Sequence, residues 1–266
     1  MEKIILLGTS GAVANDERDN VSLLFRAQND GQSEFNCVIE CGGSTAHKLA
    51  KLGVPYGKLE NIIITHTHLD HLYGLPGLIF SMIYRDTSRT LPLRVHCPEP
   101  AVPTLTTLLD VFELADDSSF PIDIQGVPLE EGALVLENQQ VRVTSTPVDH
   151  SQKTPTIGIK IQSNITGKTV VYSSDTGYSE RLTRLAYKAD VLFHECSGLS
   201  RHPIPAIHSS ALQVGKVAQH SAVKKLVLLH LDSVLHDDPQ EIMAEAKQNF
   251  TGEIVVASDF DEYELW

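Results

Sequence analysis

Three imidazoles and one carboxylate lie within six consecutive residues of this chain, in the run His66-Thr67-His68-Leu69-Asp70-His71. Imidazole is the commonest metal ligand near neutral pH, and a carboxylate beside it suits zinc, manganese or iron. In an extended segment His66 and His68 point to the same side, because side chains alternate along a strand. The chain must then turn to bring Asp70 and His71 round, which divides the ligands between two sites. Four ligands cannot complete two coordination shells, so further ligands must come from downstream.

A histidine-rich surface loop is the alternative interpretation of this run. The run directly follows the apolar segment Ile62-Ile63-Ile64, which is typical of a buried strand, and precedes Gly74-Leu75-Pro76-Gly77. Loops at the ends of rigid, buried strands are where binding and catalytic residues commonly lie. The position of the run therefore favours a metal site over a solvated loop.

Length and charge limit the classes of protein to which the chain can belong. Its 266 residues suit one large α/β domain, so residues 1–266 are predicted to form a single domain. The formal net charge of −13 argues against a broad electrostatic grip on nucleic acid. No stretch approaches the ~18 apolar residues of a membrane span, and the first apolar run is too short for a signal peptide. We therefore expect a cytoplasmic protein without a membrane partner, and its four cysteines fit a reducing compartment.

The hydrophobic pattern predicts the elements that must position these side chains. Strands are predicted at Ile4–Leu7, Ser22–Arg26, Phe35–Glu40, Ile62–Thr65, Arg94–His96, Val141–Thr146, Ile157–Ile161, Thr169–Ser173, Val191–His194, Lys225–His230 and Glu253–Ser258. Helices are predicted at Thr45–Lys51, Leu75–Arg85, Ala101–Leu114, Ser209–His220 and Pro239–Gln248. Two strand-rich halves, each followed by helices, imply two sheets packed face to face with helices outside.

Further candidate ligands follow the predicted strands. His150 comes after Val141–Thr146, Asp175 after Thr169–Ser173, and His230 ends Lys225–His230. Side chains at strand ends gather at one edge of a rigid sheet. These three residues are therefore the candidates that complete the site begun by the histidine run.

An ordered set of short motifs covers nearly the whole chain: Gly8-Thr9-Ser10-Gly11-Ala12, Glu40-Cys41-Gly42, the histidine run with Gly74-Leu75-Pro76-Gly77, Pro147-Val148-Asp149-His150, Ser174-Asp175-Thr176-Gly177, His194-Glu195-Cys196, His208-Ser209-Ser210 and His230. This set resembles the metallo-β-lactamase-fold hydrolases, and within them the ribonuclease Z-like phosphodiesterases. Glu40 stands where that family usually has aspartate. The resemblance implies an α/β fold, the four-layer αβ/βα sandwich.

The resemblance also implies the cofactors and their ligands. One divalent metal ion would take His66, His68 and His150, the second would take Asp70, His71 and His230, and Asp175 would bridge the two. Zinc is the first expectation for both ions, with manganese or iron as alternatives. The family is commonly dimeric, so a homodimer is expected. The helix after Gly74 and the segment Arg85–Arg89 are candidates for an interface or a pocket wall.

The chemistry that the resemblance implies is hydrolysis of a phosphodiester. Two metal ions would acidify a shared water, whose hydroxide would attack phosphorus, and Asp70 would help to orient it. His208 would protonate the leaving alkoxide, and Glu195 would orient that imidazole. A carboxylate partner raises an imidazole pKa, which suits a general acid.

The substrate stays open between several classes. Long ribonuclease Z enzymes carry an arm that grips tRNA between the third and fourth metal motifs, but His150 and Asp175 are only 25 positions apart here. Two substrates are expected. One is a small phosphodiester, such as a cyclic nucleotide or a cyclic sugar phosphate, and the other is an RNA 3′ end. A carboxylic ester, thioester, lactone or lactam on the same fold is the alternative. A non-catalytic metal-binding protein or a cofactor-biosynthesis protein on this fold is the third hypothesis.

Overall fold

Two seven-stranded sheets form the centre of the structure, a computed structural model that describes residues 2–27, 34–85, 89, 91–117, 119–235 and 238–265. The strands are β1 Glu2–Gly8, β2 Ser22–Ala27, β3 Phe35–Ile39, β4 Leu59–Ile63, β5 Leu93–Pro98, β6 Ile122–Val127, β7 Ala133–Glu137, β8 Val141–Pro147, β9 Ile157–Ser163, β10 Thr169–Tyr172, β11 Val191–Cys196, β12 Lys225–Leu231, β13 Glu253–Val256 and β14 Glu262–Glu264. The helices are α1 Thr45–Lys51, α2 Leu69–Leu72, α3 Leu75–Arg85, α4 Val102–Val111, α5 Leu114–Asp117, α6 Glu180–Leu185, α7 Ala211–His220 and α8 Pro239–Ala246.

The strand order places the carboxyl ends of several strands side by side. The first sheet runs β14-β1-β2-β3-β4-β5-β6 and the second runs β13-β12-β11-β10-β9-β8-β7. Strands β3 to β6 are mutually parallel, and so are β10 to β13. Strands β9 and β10 are consecutive and pair in antiparallel register, so they form a hairpin.

Strands β1 and β12 are apolar along most of their length because alternate side chains pack into different apolar layers. In β1, Ile4 and Leu6 pack between the two sheets, whereas Ile5 and Leu7 face the helices. In β12, Leu229 packs between the sheets and Leu228 faces the helices of the second sheet. A strand buried on both faces needs apolar residues at every position. The continuous apolar runs in the sequence therefore mark central strands.

The core has three apolar layers, which separate four layers of secondary structure. One cluster lies between the sheets, a second joins the first sheet to α1, α3 and α4, and a third joins the second sheet to α6, α7 and α8. This arrangement confirms the predicted four-layer αβ/βα sandwich. None of the described helices is long and apolar enough to cross a membrane.

The structure corrects several predicted elements. The single helix predicted over Ala101–Leu114 is divided into α4 and α5, because Glu113 has a φ of 53°, which a continuous helix does not allow. Strands β6, β7 and β14 were not predicted from the sequence. The exposed side chains of β6 and β7 interrupt the apolar pattern, and β14 has three residues. Residues 86–88 of the segment Arg85–Arg89 lie outside the described residues.

Candidate metal centre

Four donor atoms converge where β4, β8 and β10 end. His68 Nδ1 lies 3.1 Å from both His66 Nε2 and His150 Nε2. Asp175 Oδ2 lies 3.7 Å from His66 Nε2 and 3.9 Å from His150 Nε2. The predicted turn is present, because His68 is extended and caps α2, which carries Asp70 and His71. These four side chains form the first donor group.

A second donor group lies on the other side of Asp175. Asp175 Oδ1 is 3.2 Å from His230 Nε2 and 3.3 Å from His71 Nε2, and the two histidine nitrogens are 3.2 Å apart. Asp70 Oδ2 lies 3.4 Å from His230 Nε2 and 3.7 Å from His71 Nε2. Each oxygen of Asp175 thus faces one group, as a bridging carboxylate requires.

The spacing and chemistry of both groups fit a metal ion. Tetrahedral zinc with bonds of about 2.0–2.1 Å separates its ligand atoms by about 3.3 Å, close to the separations found here. Asp175 Oδ1 is buried and has no hydrogen-bond partner among the described residues. Burial opposes ionisation of Asp175, but the nearby charges of His230 and His71 outweigh it and hold its pKa well below the usual range. Burial also lowers the pKa of His66 well below its usual value, which leaves a neutral ring with a free lone pair.

The other ring nitrogens have partners that fix the orientation of the histidines. His150 Nδ1 lies 2.9 Å from the Ile207 carbonyl oxygen, so the Nδ1–H donates a hydrogen bond there and the lone pair is on Nε2. His68 Nε2 lies 3.1 Å from Thr154 Oγ1. Such outer partners set the tautomer and orientation of a metal-binding histidine. The sequence analysis did not identify Thr154 or Ile207, because neither residue has a motif of its own.

Glu40 lies behind His71, a position that the sequence motifs do not indicate. Its side chain is fully buried, and its Oε1 is 3.3 Å from His71 Nδ1, on the ring edge opposite Asp175. The carboxylate also accepts hydrogen bonds from the backbone N–H and the hydroxyl of Thr65. Glu40, His66 and His71 donor atoms lie close enough to form a third group, but Glu40 faces the outer nitrogen of His71. The geometry is that of a carboxylate that orients a metal-binding histidine.

Three residues at the site adopt the left-handed backbone conformation that non-glycine residues rarely use. The φ values are 62° for Glu40, 55° for Ser174 and 50° for His230. His230 is the extra residue of a bulge, because Glu195 pairs with Leu229 whereas Cys196 pairs with Leu231. Bulges and left-handed residues redirect side chains at strand ends, and they commonly occur at functional sites.

Glu195 and His208 form a hydrogen-bonded pair beside both donor groups. His208 Nδ1 lies 2.8 Å from Glu195 Oε1, and Glu195 is fully buried. The same carboxylate accepts hydrogen bonds from the Thr176 N–H and the Ser197 hydroxyl. The His208 ring centre is 5.0 Å from that of His150 and is stacked 6.2 Å from that of His230. Burial lowers the pKa of His208, but the hydrogen bond and charge of Glu195 outweigh burial and raise it to about 9.

A cavity of about 470 Å³ opens above these groups. Its floor carries Asp70, Asp175, His208 and His230, and its walls include the Gly11-Ala12 turn, Asp232 and the segment from His202 to Pro205. Ligand pockets of small molecules span about 300–1,000 Å³. All nine predicted site residues therefore lie in one place, seven of them in the two donor groups and two in the neighbouring pair.

The predicted ligands and the predicted pair were recognisable because each lies in a motif at a strand end or a helix start. His194 is buried, with Nδ1 2.8 Å from the Glu195 carbonyl oxygen, and Cys41 is a buried free thiol.

Comparison with known proteins places the chain in a family. A sequence model described as "Anti-Pycsar protein Apyc1" matches residues 2–252. The ribonuclease Z of Natronomonas pharaonis is 25% identical, over 99% of this chain and 97% of its own. The metallo-β-lactamase fold protein YhfI from Bacillus subtilis superposes with a TM-score of 0.80 at 21% identity, over 98% of both chains. The short form of human tRNase Z superposes with a TM-score of 0.77 at 19% identity, over 99% of both chains.

The two structural likenesses bear on the fold, and the sequence matches bear on the family. The match over residues 2–252 spans both donor groups and the Glu195–His208 pair. The chain therefore belongs to the anti-Pycsar protein Apyc1 family and is a metal-dependent, ribonuclease Z-like hydrolase of the metallo-β-lactamase fold.

Proposed function

We propose that the chain is a two-metal phosphodiesterase. One divalent ion would be held by His66, His68 and His150 and the other by Asp70, His71 and His230, and Asp175 would serve both. Zinc is the proposed metal, with manganese or iron as alternatives, because imidazole and carboxylate ligands accept all three. The ligand spacing and the unpartnered oxygen of Asp175 support this assignment.

The positions of the side chains indicate the role of each in hydrolysis. When bound, the two ions supply Lewis acidity and a nucleophilic water at neutral pH. Asp70 reaches the floor of the cavity and orients the nucleophile. His208 holds a proton that it gives to the leaving oxygen, and Glu195 keeps its ring in place through Nδ1. The proton that His208 delivers is therefore on Nε2, the nitrogen that does not face Glu195.

The hydrogen bond between His208 and Glu195 is the observation that carries this proposal. Cleavage of a phosphodiester expels an alkoxide, which is a poor leaving group unless an acid protonates it. An imidazole that is paired with a buried carboxylate and stacked beside both donor groups suits that task. Hydrolases of lactones, lactams or thioesters on this fold do not need a glutamate–histidine donor of this kind.

A small cyclic or nucleotide diester is the proposed substrate. Between His150 and Asp175 the chain forms a short loop and the β9–β10 hairpin, which supports the absence of a tRNA-gripping arm. The formal net charge of −13 also disfavours a long polyanion. The alignment with the Natronomonas ribonuclease Z extends over 312 positions, more than the 266 residues of this chain, so that relative carries additional segments.

An RNA 3′ end is the second candidate, favoured by the curated relatives that are named ribonuclease Z. Metal-loaded protein would be assayed with 3′,5′-cyclic nucleotides and with a 3′-extended tRNA under the same conditions. Faster cleavage of the cyclic nucleotides supports the small-diester assignment. Preferential cleavage of the tRNA supports the second candidate, and hydrolysis of thioesters or lactones alone contradicts both.

The structure also offers a surface for the expected homodimer. Large apolar side chains are exposed together on α2, on α3 and after α4, namely Leu69 (73% exposed), Tyr73 (45%), Phe80 (54%), Tyr84 (63%) and Phe112 (55%). Six of the residues from Leu69 to Phe80 line one shallow apolar groove of about 540 Å³ with Phe112. Apolar patches of this kind commonly mark protein interfaces. We propose that a second copy of the chain covers this surface, which is continuous with the histidine run.

A further inference from the structure

One wall of the active-site cavity is a single loop, residues 199–208, called here the wall loop. Its two ends are held together by backbone hydrogen bonds. The Ser197 N–H donates to the Ser209 carbonyl at 3.0 Å, and the Ala211 N–H donates to the Gly198 carbonyl at 2.9 Å. The wall loop therefore begins and ends at one fixed point, at the start of α7.

The outer side of the wall loop is anchored to α8. The Ser200 N–H donates to Glu245 Oε1 at 2.7 Å, and the Arg201 guanidinium binds both oxygens of Glu241. Within the loop, the Leu199 N–H donates to His202 Nδ1 at 3.2 Å, which fixes the ring that lines the cavity. These bonds fix the loop before any ligand arrives, and a preformed wall lowers the entropic cost of binding.

The inner side of the wall loop is apolar at its centre. Pro203, Ile204 and Pro205 line the cavity, and the Ile204 side chain is only half buried. Ile204 lies directly against Gly198, because a Cβ on that glycine would come 2.8 Å from Ile204 Cδ1. The absence of a side chain at position 198 therefore sets how far Ile204 withdraws from the cavity.

The same loop also carries parts of the catalytic site. The Ile207 carbonyl accepts a hydrogen bond from His150 Nδ1, and His208 ends the loop. The cavity is also lined by the turn at Gly11 and Ala12, and by Asp232, which follows the Leu231 carbonyl to which the Gly11 N–H donates. In a substrate whose phosphorus lies over Asp175, the remaining part would therefore extend along the apolar centre of the wall loop, with Gly11, Ala12 and Asp232 also lining the cavity.

We propose that the wall loop selects substrates by their base: Ile204, flanked by Pro203 and Pro205, packs against the planar heterocycle of a nucleotide diester. This inference rests on the proposed phosphodiesterase function and deepens it. The flat faces of bases pack on apolar and aromatic surfaces with little dependence on base identity. The wall therefore distinguishes base-bearing diesters from base-free ones, and it acts on ground-state binding rather than on the chemical step.

The test compares substrates that differ only in the base. Metal-loaded wild-type protein and the Ile204→Ala variant are assayed with adenosine 3′,5′-cyclic monophosphate and with methyl ribofuranoside 3′,5′-cyclic phosphate, which has no base. The expected result is a rise of about tenfold in KM for the adenosine substrate in the variant, with kcat and the base-free substrate unchanged. Ile165→Ala is the matched control, because Ile165 is exposed in the β9–β10 turn, away from the cavity.

A second variant changes the position of Ile204 without shortening it. Gly198→Ala pushes the Ile204 side chain toward the cavity, so KM is expected to rise more for the purine substrate than for the base-free one. Thermal unfolding of both variants verifies the fold. Equal effects of Ile204→Ala on both substrates, or no effect on either, would overturn the role of the wall loop.

A binding measurement separates this proposal from the proposed function. Calorimetric titration with adenosine 5′-monophosphate and with ribose 5-phosphate reports on the base contact without any turnover. If wild-type protein hydrolyses neither cyclic substrate, the phosphodiesterase proposal fails. Loss of the preference for adenosine 5′-monophosphate in Ile204→Ala would then still support the wall loop, and an unchanged preference would contradict it.

Discussion

His208 Nδ1 lies 2.8 Å from Oε1 of Glu195, a carboxylate that is fully buried and accepts two further hydrogen bonds. A carboxylate held in this way cannot turn to another partner, so it fixes both the proton and the plane of the imidazole. The ring stacks beside His230 and packs against His150, one residue from each donor group. The pair is therefore built to deliver a proton next to the reacting phosphorus.

Replacement of His208 by alanine should slow substrates according to their leaving group. We expect a 10²- to 10⁴-fold loss of kcat for a diester with an alkoxide leaving group, because general acids contribute about that much. A diester that expels p-nitrophenolate needs little protonation and should lose far less. Steady-state rates on both substrates, with metal content verified, test this. An equal loss on both would assign His208 to binding rather than to proton donation.

The rate for an alkoxide-leaving substrate should fall at alkaline pH. His208 must be protonated to act, and its pKa is raised to about 9, so activity persists through neutral pH and is lost as the pH rises through that value. The positive charge of bound divalent ions would disfavour protonated His208, so the alkaline decline of the rate is expected at a pH of about 9 or below. Glu195→Gln removes the charge that raises the pKa of His208 and should shift the alkaline decline of the rate to lower pH. A decline at the same pH in this variant would contradict the assignment.

Glu40→Gln should weaken metal binding without removing a ligand. The Glu40 carboxylate faces Nδ1 of His71, and loss of such an outer partner typically costs 10- to 100-fold in metal affinity. Competition with a chromophoric chelator measures the dissociation constant of the weaker site. Glu264→Gln, on the exposed edge strand β14, is the control. Unchanged affinity in Glu40→Gln would mean that its contact with His71 is purely structural.

Phe80→Asp should convert a dimer into a monomer. Phe80 is 54% exposed on α3, next to Tyr84, and a charge there would be buried without a partner in the proposed interface. Light scattering after size exclusion gives the mass of both proteins. Ile165→Asp, at an exposed apolar position outside the patch, should leave the mass unchanged. A wild-type monomer at micromolar concentration would contradict the homodimer.

More of the site than of the sheet edges could be predicted from the sequence. His66, His150 and Asp175 follow strands whose apolar runs are unmistakable, and residue type and order fixed their interpretation. The role of Glu40 depends on a contact with His71, 31 positions later, which no local pattern reveals. Strands β6 and β7 were missed because edge strands expose half of their side chains, and without apolar alternation a strand resembles a loop.

The backbone conformation at the site was likewise only partly predictable from the sequence. The sequence places His230 at the end of a strand, but only the structure shows that it is the extra residue of a bulge with a φ of 50°. Nothing in the side chain of a histidine predicts this conformation, because the neighbouring strands impose it. Sequence patterns therefore identified the candidate ligands, whereas the pairing of distant strands determines the orientation of their side chains.

Turnover of bis(p-nitrophenyl) phosphate is the measurement that tests the central claim most directly. Protein reconstituted with zinc or manganese would be compared with Asp175→Ala, which lacks the carboxylate that faces both donor groups. We expect two metal ions per wild-type chain and metal-dependent release of nitrophenolate, with fewer ions and no release above background in the variant. Wild-type protein that holds two ions and releases no more nitrophenolate than Asp175→Ala would contradict that claim.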